Sequence, residues 1–199
     1  MVECLSSLDK GVQASCTAIK KVGGLDKRIY LGAIGDLDTV TIGSNNTLTS
    51  LTFLAAKGFV KMVGRKEKNS AGSDIEVGEN LTLRKQNVNL SVYYDTVGTQ
   101  ATIDLSSIDA IIDNEAMFAI VETNAGTLEV FGINKTNFDN YGLKVTDNPG
   151  TSGLLLNDVT AFAMVMSGGF TNLQLIYNPS ASLATNIAAL DALVIDPAP

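Results

Sequence analysis

The sequence predicts a mainly β protein with one α-helix, an extended charged loop and arms at both ends. Three observations carry that expectation. Apolar residues make up 45% of the 199 positions and charged residues 18%, a globular composition and not a disordered one. Eighteen glycines stand against four prolines, with Thr, Ser and Asn plentiful, as a protein of many strands and tight turns requires. The most informative stretch, 108–167, is a short helical signal followed by closely spaced β-rich runs and Gly turns, with almost no basic residues.

The elements follow in order. In residues 1–24, Cys4, Leu5, Leu8, Val12 and Cys16 recur at helical spacing, but Gly11 and Gly23-Gly24 interrupt them. An N-terminal arm ordered by a neighbour explains this composition at least as well as a packed helix does. A single β-rich domain is expected over 25–178, the natural organisation for a chain of this length. Its first strand falls at 28–33, a polar turn at Gly43-Ser44-Asn45-Asn46, and an apolar segment at 48–63. Residues 58–80 read as a long exposed hairpin or loop. It is basic on the way out (Lys57, Lys61, Arg65, Lys66, Lys68) and acidic on the way back (Asp74, Glu76, Glu79). Loops of this size in compact domains are usually functional or disordered.

From Leu81 the apolar period is two, through Leu83, Val88, Leu90, Val92 and Tyr94. An amphipathic helix is expected at 106–116. Ser106 or Ser107 is its N-cap, Asp109 suits the helix dipole, and Ile108, Ile111 and Ile112 face inward. The β-rich runs 119–122 and 127–131, joined by Thr123-Asn124-Ala125-Gly126, make a hairpin. A second pair, 143–146 and 159–166, is separated by a turn-rich piece beginning Asp147-Asn148-Pro149-Gly150. After a last strand at 173–177, the C-terminal extension 179–199 is Ala- and Leu-rich, a closing helix or an arm.

Chemistry-bearing residues are scarce. With no histidine, Ser-His-Asp and Cys-His nucleophiles and histidine general bases are excluded. Cys4 and Cys16, twelve apart, match no metal-ligand spacing. Asp109 and Asp113 would share a helix face, but solvated acids explain them better. Asp36-Leu37-Asp38 lacks the graded oxygen ligands of a calcium loop, and Asp147-Asn148-Pro149-Gly150 reads as a turn. No Gly-rich run ends as a phosphate loop does. The expectation is therefore no catalytic residue, no metal, no cofactor and no enzyme. No run approaches the roughly 18 apolar residues of a membrane span. Met1-Val2-Glu3-Cys4 puts an acid where a signal peptide needs basic residues, so the protein is expected to be made and left in the cytoplasm, or assembled from there.

The net charge of −7 hides an asymmetry. Twelve of the fourteen Lys and Arg lie in residues 1–100, while 101–199 hold only Lys135 and Lys144 against eleven acids. A solvated acidic surface accounts for this, and so does a subunit with unlike faces suited to head-to-tail association of copies. Specific nucleic-acid binding is not expected without clustered Lys and Arg.

Taken together, the Gly-interrupted arm, the charged region at 58–80, the β-rich body, the helix at 106–116 and the C-terminal extension resemble the tail tube proteins of long-tailed bacteriophages and related virion ring proteins. The string Phe118-Ala119-Ile120-Val121-Glu122-Thr123-Asn124-Ala125-Gly126-Thr127-Leu128-Glu129-Val130-Phe131-Gly132, with Tyr141-Gly142-Leu143 beyond it, also looks like phage structural proteins. The resemblance implies a β-sandwich or barrel-like body with a flanking helix. It implies rings of identical subunits, commonly hexamers, whose inner strands pair into a continuous barrel. Rings would stack through a long loop and the terminal arms, beside other virion proteins, and double-stranded DNA would pass through the bore unbound. The location implied is the virion, in the phage tail, with the host cytoplasm before assembly; no membrane is involved. On this reading Arg65, Lys66, Lys68, Asp74, Glu76 and Glu79 belong to an inter-subunit loop. Asp104, Glu122, Glu129, Asp139, Asp147 and Asp158 are candidate lumen acids that repel phosphate. A head–tail connector or neck ring, a capsid decoration protein, and a bacterial surface or pilus-type β protein are the alternatives.

Overall fold

The computed structural model describes residues 25–63, 69–77, 82–93, 116–135, 141–147, 150–151 and 161–195. The N-terminal arm, the helix expected at 106–116, and Arg65, Lys66, Lys68, Glu79, Asp104, Asp139 and Asp158 lie outside the described residues. In chain order the strands are β1 (Leu25–Ala33), β2 (Leu37–Ile42), β3 (Thr47–Phe53), β4 (Val60–Val63), β5 (Ser70–Val77) and β6 (Thr82–Tyr93). Then come β7 (Met117–Thr123), β8 (Leu128–Phe131), β9 (Lys144–Asp147), β10 (Gly150–Thr151), β11 (Ala161–Phe170) and β12 (Leu175–Tyr177). The described helix is α1 (Leu183–Asp191).

Seven strands form one sheet in the order β2-β3-β12-β8-β7-β1-β4, antiparallel except where β12 runs parallel to β3. The second sheet runs β10-β11-β6-β5, with β9 also on β11. β9 and β10 lie end to end along β11, so this sheet is four strands wide and antiparallel throughout. The protein is mainly β, as its composition and turn content predict, and its two sheets pack as a sandwich flanked by α1, a different segment from the helix expected at 106–116.

Alternation along each strand builds two cores on opposite faces of the seven-stranded sheet. Between the sheets, Ile29, Leu31, Met117, Ala119, Val121 and Phe131 pack against Val88, Leu90, Met164 and Met166. On the far face, Tyr30, Phe118, Ile120, Leu128 and Val130 pack with Phe59 and Leu190, flanked by Leu183 and Ile187 of α1. β7 is therefore apolar at successive positions, because both of its faces are buried. α1 starts at Ser182, whose hydroxyl accepts from the Thr185 amide. It turns Leu183, Ile187 and Leu190 inward at the spacing of one helical face.

The hairpin expected around 123–126 forms, closed by Gly126 N–H to the Thr123 carbonyl at 2.8 Å with Gly126 at φ +79°. Two expectations change, and one of two open readings is selected. Residues 58–80 are not one exposed loop: Phe59 is fully buried, β4 pairs with β1, and β5 pairs with β6 over eight positions. Within the piece Asn69-Ser70-Ala71-Gly72-Ser73-Asp74, whose composition suggests a turn, Ser70, Gly72 and Asp74 lie on the solvent face of a strand, where small polar side chains are tolerated, and Ser73 faces inward. Asp147 and Gly150 do not bracket a turn between partner strands, since both sit in segments paired with β11 in one register. Residues 182–194 form the closing helix of the two readings offered. Beyond it Leu193 and Ile195 hydrogen-bond the Phe59 backbone at 2.9 and 3.0 Å. A side chain at Gly58 would run into the Leu193 carbonyl oxygen.

Candidate assembly surfaces

The two open edges of the four-strand sheet are the most distinctive surfaces. On β5, Ala71 packs on the inter-sheet core and Ser73 donates to Gln174 Oε1 at 2.8 Å, so the odd positions face inward. Ile75 and Val77 continue that face, yet they are 63% and 77% exposed. The strand has run past the end of its own core. On the other face, Asp74 and Glu76 are exposed. The last four residues of β5 thus alternate acid outward and aliphatic inward, and none of the described residues covers them. At the opposite edge, β9 turns Val145 inward and Lys144 and Thr146 outward.

The outward face between these edges is mostly small and polar, with Leu83 and Val165 as its larger apolar members. It carries Ser70, Gly72, Asn87, Asn89, Ser167 and Gly169, with Asn87 donating to Asp74 Oδ2 at 3.2 Å and Asn89 to Ser70 Oγ at 3.0 Å. Among the residues whose side chains are described, its exposed charges are Asp74 and Glu76 against Lys85 and Lys144, and the register adds Asp147 opposite Val165.

The sequence-predicted residues scatter over this framework. Asp74 and Glu76 lie on β5 as strand residues, not in a loop. Glu122 is buried on the helix side of the seven-stranded sheet and ion-pairs with Arg28, so it is corrected from a lumen acid to a structural one. Glu129 alternates with Leu128 and Val130, which enter the helix-side core, and so lies on the inter-sheet side. Burial pushes its carboxyl above the usual value. Asp147 ends β9 in the other sheet. Glu122 and Glu129 occupy opposite faces and do not form one acidic lining.

Two polar networks hold the layers in place. Gln86, fully buried, accepts from Gly132 N–H at 2.8 Å and donates to the Asn172 carbonyl at 3.0 Å, tying β6 to the seven-stranded sheet. Asn172 in turn receives Lys135 N–H at 2.8 Å and donates to the Ile133 carbonyl at 3.1 Å. On the far face, Tyr30 and Lys61 both donate to Asp191 Oδ1. Partial burial by itself would raise the Asp191 carboxyl, but the hydrogen bonds from Lys61 and Tyr30 and the charges of Lys61 and Arg28 outweigh it and hold it below its usual value.

A cleft of about 220 Å³ beside the start of α1, lined by Leu128, Tyr177, Leu183 and Asn186, holds no charged residue. Asn186 there spends its side chain on Asn178 and the Ser180 backbone. Among the described residues no three His, Cys, Asp or Glu converge as a metal site, and no helix is long and apolar enough to cross a membrane. No family model, curated protein or solved structure matches this chain.

Proposed function

We propose that the protein is a structural virion subunit that closes into rings and stacks them as a phage tail tube, a conduit for DNA. The observation that carries this reading is the overhanging end of β5. A strand with no partner on one side among the described residues, with Ile75 and Val77 exposed and Asp74 and Glu76 outward, is an aggregation hazard in a subunit that works alone. It is an interface in one that pairs edge to edge. Adding the β9/β10 edge of the next copy to β5 continues the four-strand sheet and covers Ile75 and Val77. It also sets Lys144 beside Asp74 and Glu76 on the outward face. The contact is heterologous, so a repeat whose rotation closes gives a ring with no free edge in this sheet. Covering the two aliphatic side chains contributes about 1.5–3 kcal/mol each before association costs.

In such a ring the polar outward face lines the bore. Asn and Ser side chains between glycines, with no cluster of cations, supply little of the electrostatic attraction that holds duplex DNA, so it slides. Glu122, buried in an ion pair on another face, is not part of this lining.

Negative-stain microscopy of the concentrated full-length chain and of Ile75→Lys/Val77→Lys tests the reading. Tubes or stacked rings from the first and dispersed subunits from the second are expected. Isolated rings would favour a neck or connector component, and a monodisperse wild-type monomer would overturn the proposal.

A further inference from the structure

We infer that the cleft between the 123–127 hairpin and the start of α1 binds one neutral, hydroxylated ring, the size of a single hexose unit. It shares no residue with the β5 and β9/β10 edges, so it stands apart from the proposed ring contact. The register that sets Leu175 beside Val130 and Ile176 beside Glu129 brings Tyr177 next to Leu128, and both side chains belong to the helix-side core. Leu183 and Asn186 of α1, Asn178 after β12 and Thr127 of the hairpin line the cleft with this pair.

Tyr177 lines the cleft yet is only 5% exposed, and its hydroxyl has no hydrogen-bond partner among the described residues. Buried tyrosine hydroxyls ordinarily find one, since the group otherwise loses the hydration it has in the unfolded chain. Burial pushes its ionisation upward, so it stays a neutral O–H that both donates and accepts. Asn178 accepts from Asn186 Nδ2 at 3.1 Å, which leaves its own amide hydrogens without an acceptor among the described residues. Thr127 adds a second hydroxyl. These groups suit a pyranose, whose adjacent hydroxyls donate and accept in turn, while Leu128, Leu183 and the tyrosine ring offer apolar surface to its C–H face. No charged residue lines the cleft, so neither an anion nor a cation would find a counter-charge there. Size agrees with one ring. An apolar cavity of about 150 Å³ holds benzene, and drug-sized ligands fill about 300–1,000 Å³; this cleft offers about 220 Å³.

The test is saturation-transfer NMR on the full-length chain with the methyl α-glycosides of glucose, galactose and mannose, and with a methyl glucuronide as the charged control. At least one neutral glycoside should receive saturation. Its binding should weaken about tenfold in Tyr177→Phe, the loss of one hydrogen bond, and vanish in Ala181→Trp, which fills the cleft from an exposed position. Both variants should melt within a few degrees of wild type. Should Tyr177→Phe fail to fold, Ala181→Trp decides alone. No transfer to any of the three glycosides would leave the cleft to water and overturn the inference. Transfer unchanged in Ala181→Trp, or equal transfer to the glucuronide, would overturn it as well. Microscopy of the same preparation reads ring closure separately, so the two proposals stand or fall independently.

Discussion

The Tyr30 hydroxyl donates to Asp191 Oδ1 at 2.7 Å, joining a strand inside the seven-stranded sheet to the last residue of α1, 161 positions later. Lys61 reaches the same oxygen from β4 at 2.6 Å, with its ammonium 5.7 Å from the centre of the Tyr30 ring. Burial, and then the hydrogen bond and charge of Asp191, push the Tyr30 hydroxyl far above its usual pKa, so it remains a donor throughout the physiological range. Tyr30→Phe should cost about 1–2 kcal/mol, since it removes one of two hydrogen bonds to a partly exposed carboxylate. Faster hydrogen exchange in α1 than in β7, alongside a lower thermal midpoint, would check that the loss is local to the helix dock.

Two carboxylates should move stability in opposite directions with pH. The Asp191 carboxyl is lowered in the folded state, so its contribution is full above its unfolded pKa, about 3.9, and is lost as pH falls through the lower folded value. The Glu129 carboxyl is raised, so its penalty is absent below about pH 4 and grows as pH rises from there through the folded value. In dilute, unassembled protein, Asp191→Asn should flatten the acid limb of the stability profile. Glu129→Gln should raise stability at pH 7 relative to pH 3. Denaturant midpoints across that range measure both, and a Glu129→Gln subunit weakened at pH 7 would contradict the sign argued here.

Phe118 fills the helix-side core at full burial, 5.5 Å from the Phe59 ring centre and stacked at 6.2 Å on Phe53. Phe118→Ala should cost about 3–5 kcal/mol, lowering the melting temperature by roughly 10 °C or more in a chain of this size. A loss under about 1 kcal/mol would mean that the aromatic cluster is not packed as described.

Gln86→Leu keeps the volume of a buried side chain but strands the Gly132 amide and the Asn172 carbonyl. Each orphaned group costs about 1–3 kcal/mol, so chemical denaturation should show a larger loss than for Asn87→Leu on the exposed face of the same strand. Gly132 adds a second handle. At φ +94°, with the Met117 carbonyl oxygen 2.6 Å from where a Cβ would stand, Gly132→Ala is strained and should destabilise by about 1–3 kcal/mol.

The proposed edge contact makes a charge-swap prediction. Lys144→Glu and the double variant Asp74→Lys/Glu76→Lys should each fold with stability within about 0.5 kcal/mol of wild type, as exposed substitutions do. Alone, neither should assemble; mixed in equal amounts, they should recover copolymers by light scattering. Assembly by either variant alone would place the contact elsewhere.

The hairpin at 123–126 was legible because its turn chemistry is local: Thr123 and Gly126 set it without help from distant residues. The composition likewise announced a β protein, since glycine and β-branched content is a property of every window. The region at 58–80 was misread because Asn69-Ser70-Ala71-Gly72 has turn composition, and only its pairing with Asn87, Val88 and Asn89 makes it a strand. Propensity in strands is weak and is overridden by partners.

Charge told less than it promised. Glu122 and Glu129 were two of six candidate lumen acids, but strand parity sends them to opposite faces of one sheet, and Arg28 neutralises the first. The sequence by itself determined the mainly β class, the hairpin turn at 123–126 and the absence of histidine side chains, because these depend on residue types and short-range order. Which edges stay open, that β5 outruns its own core, and which carboxylates are paired were decided only by tertiary structure. They depend on register between strands far apart in the chain, and a shift of one residue would move every one of those side chains to the other face.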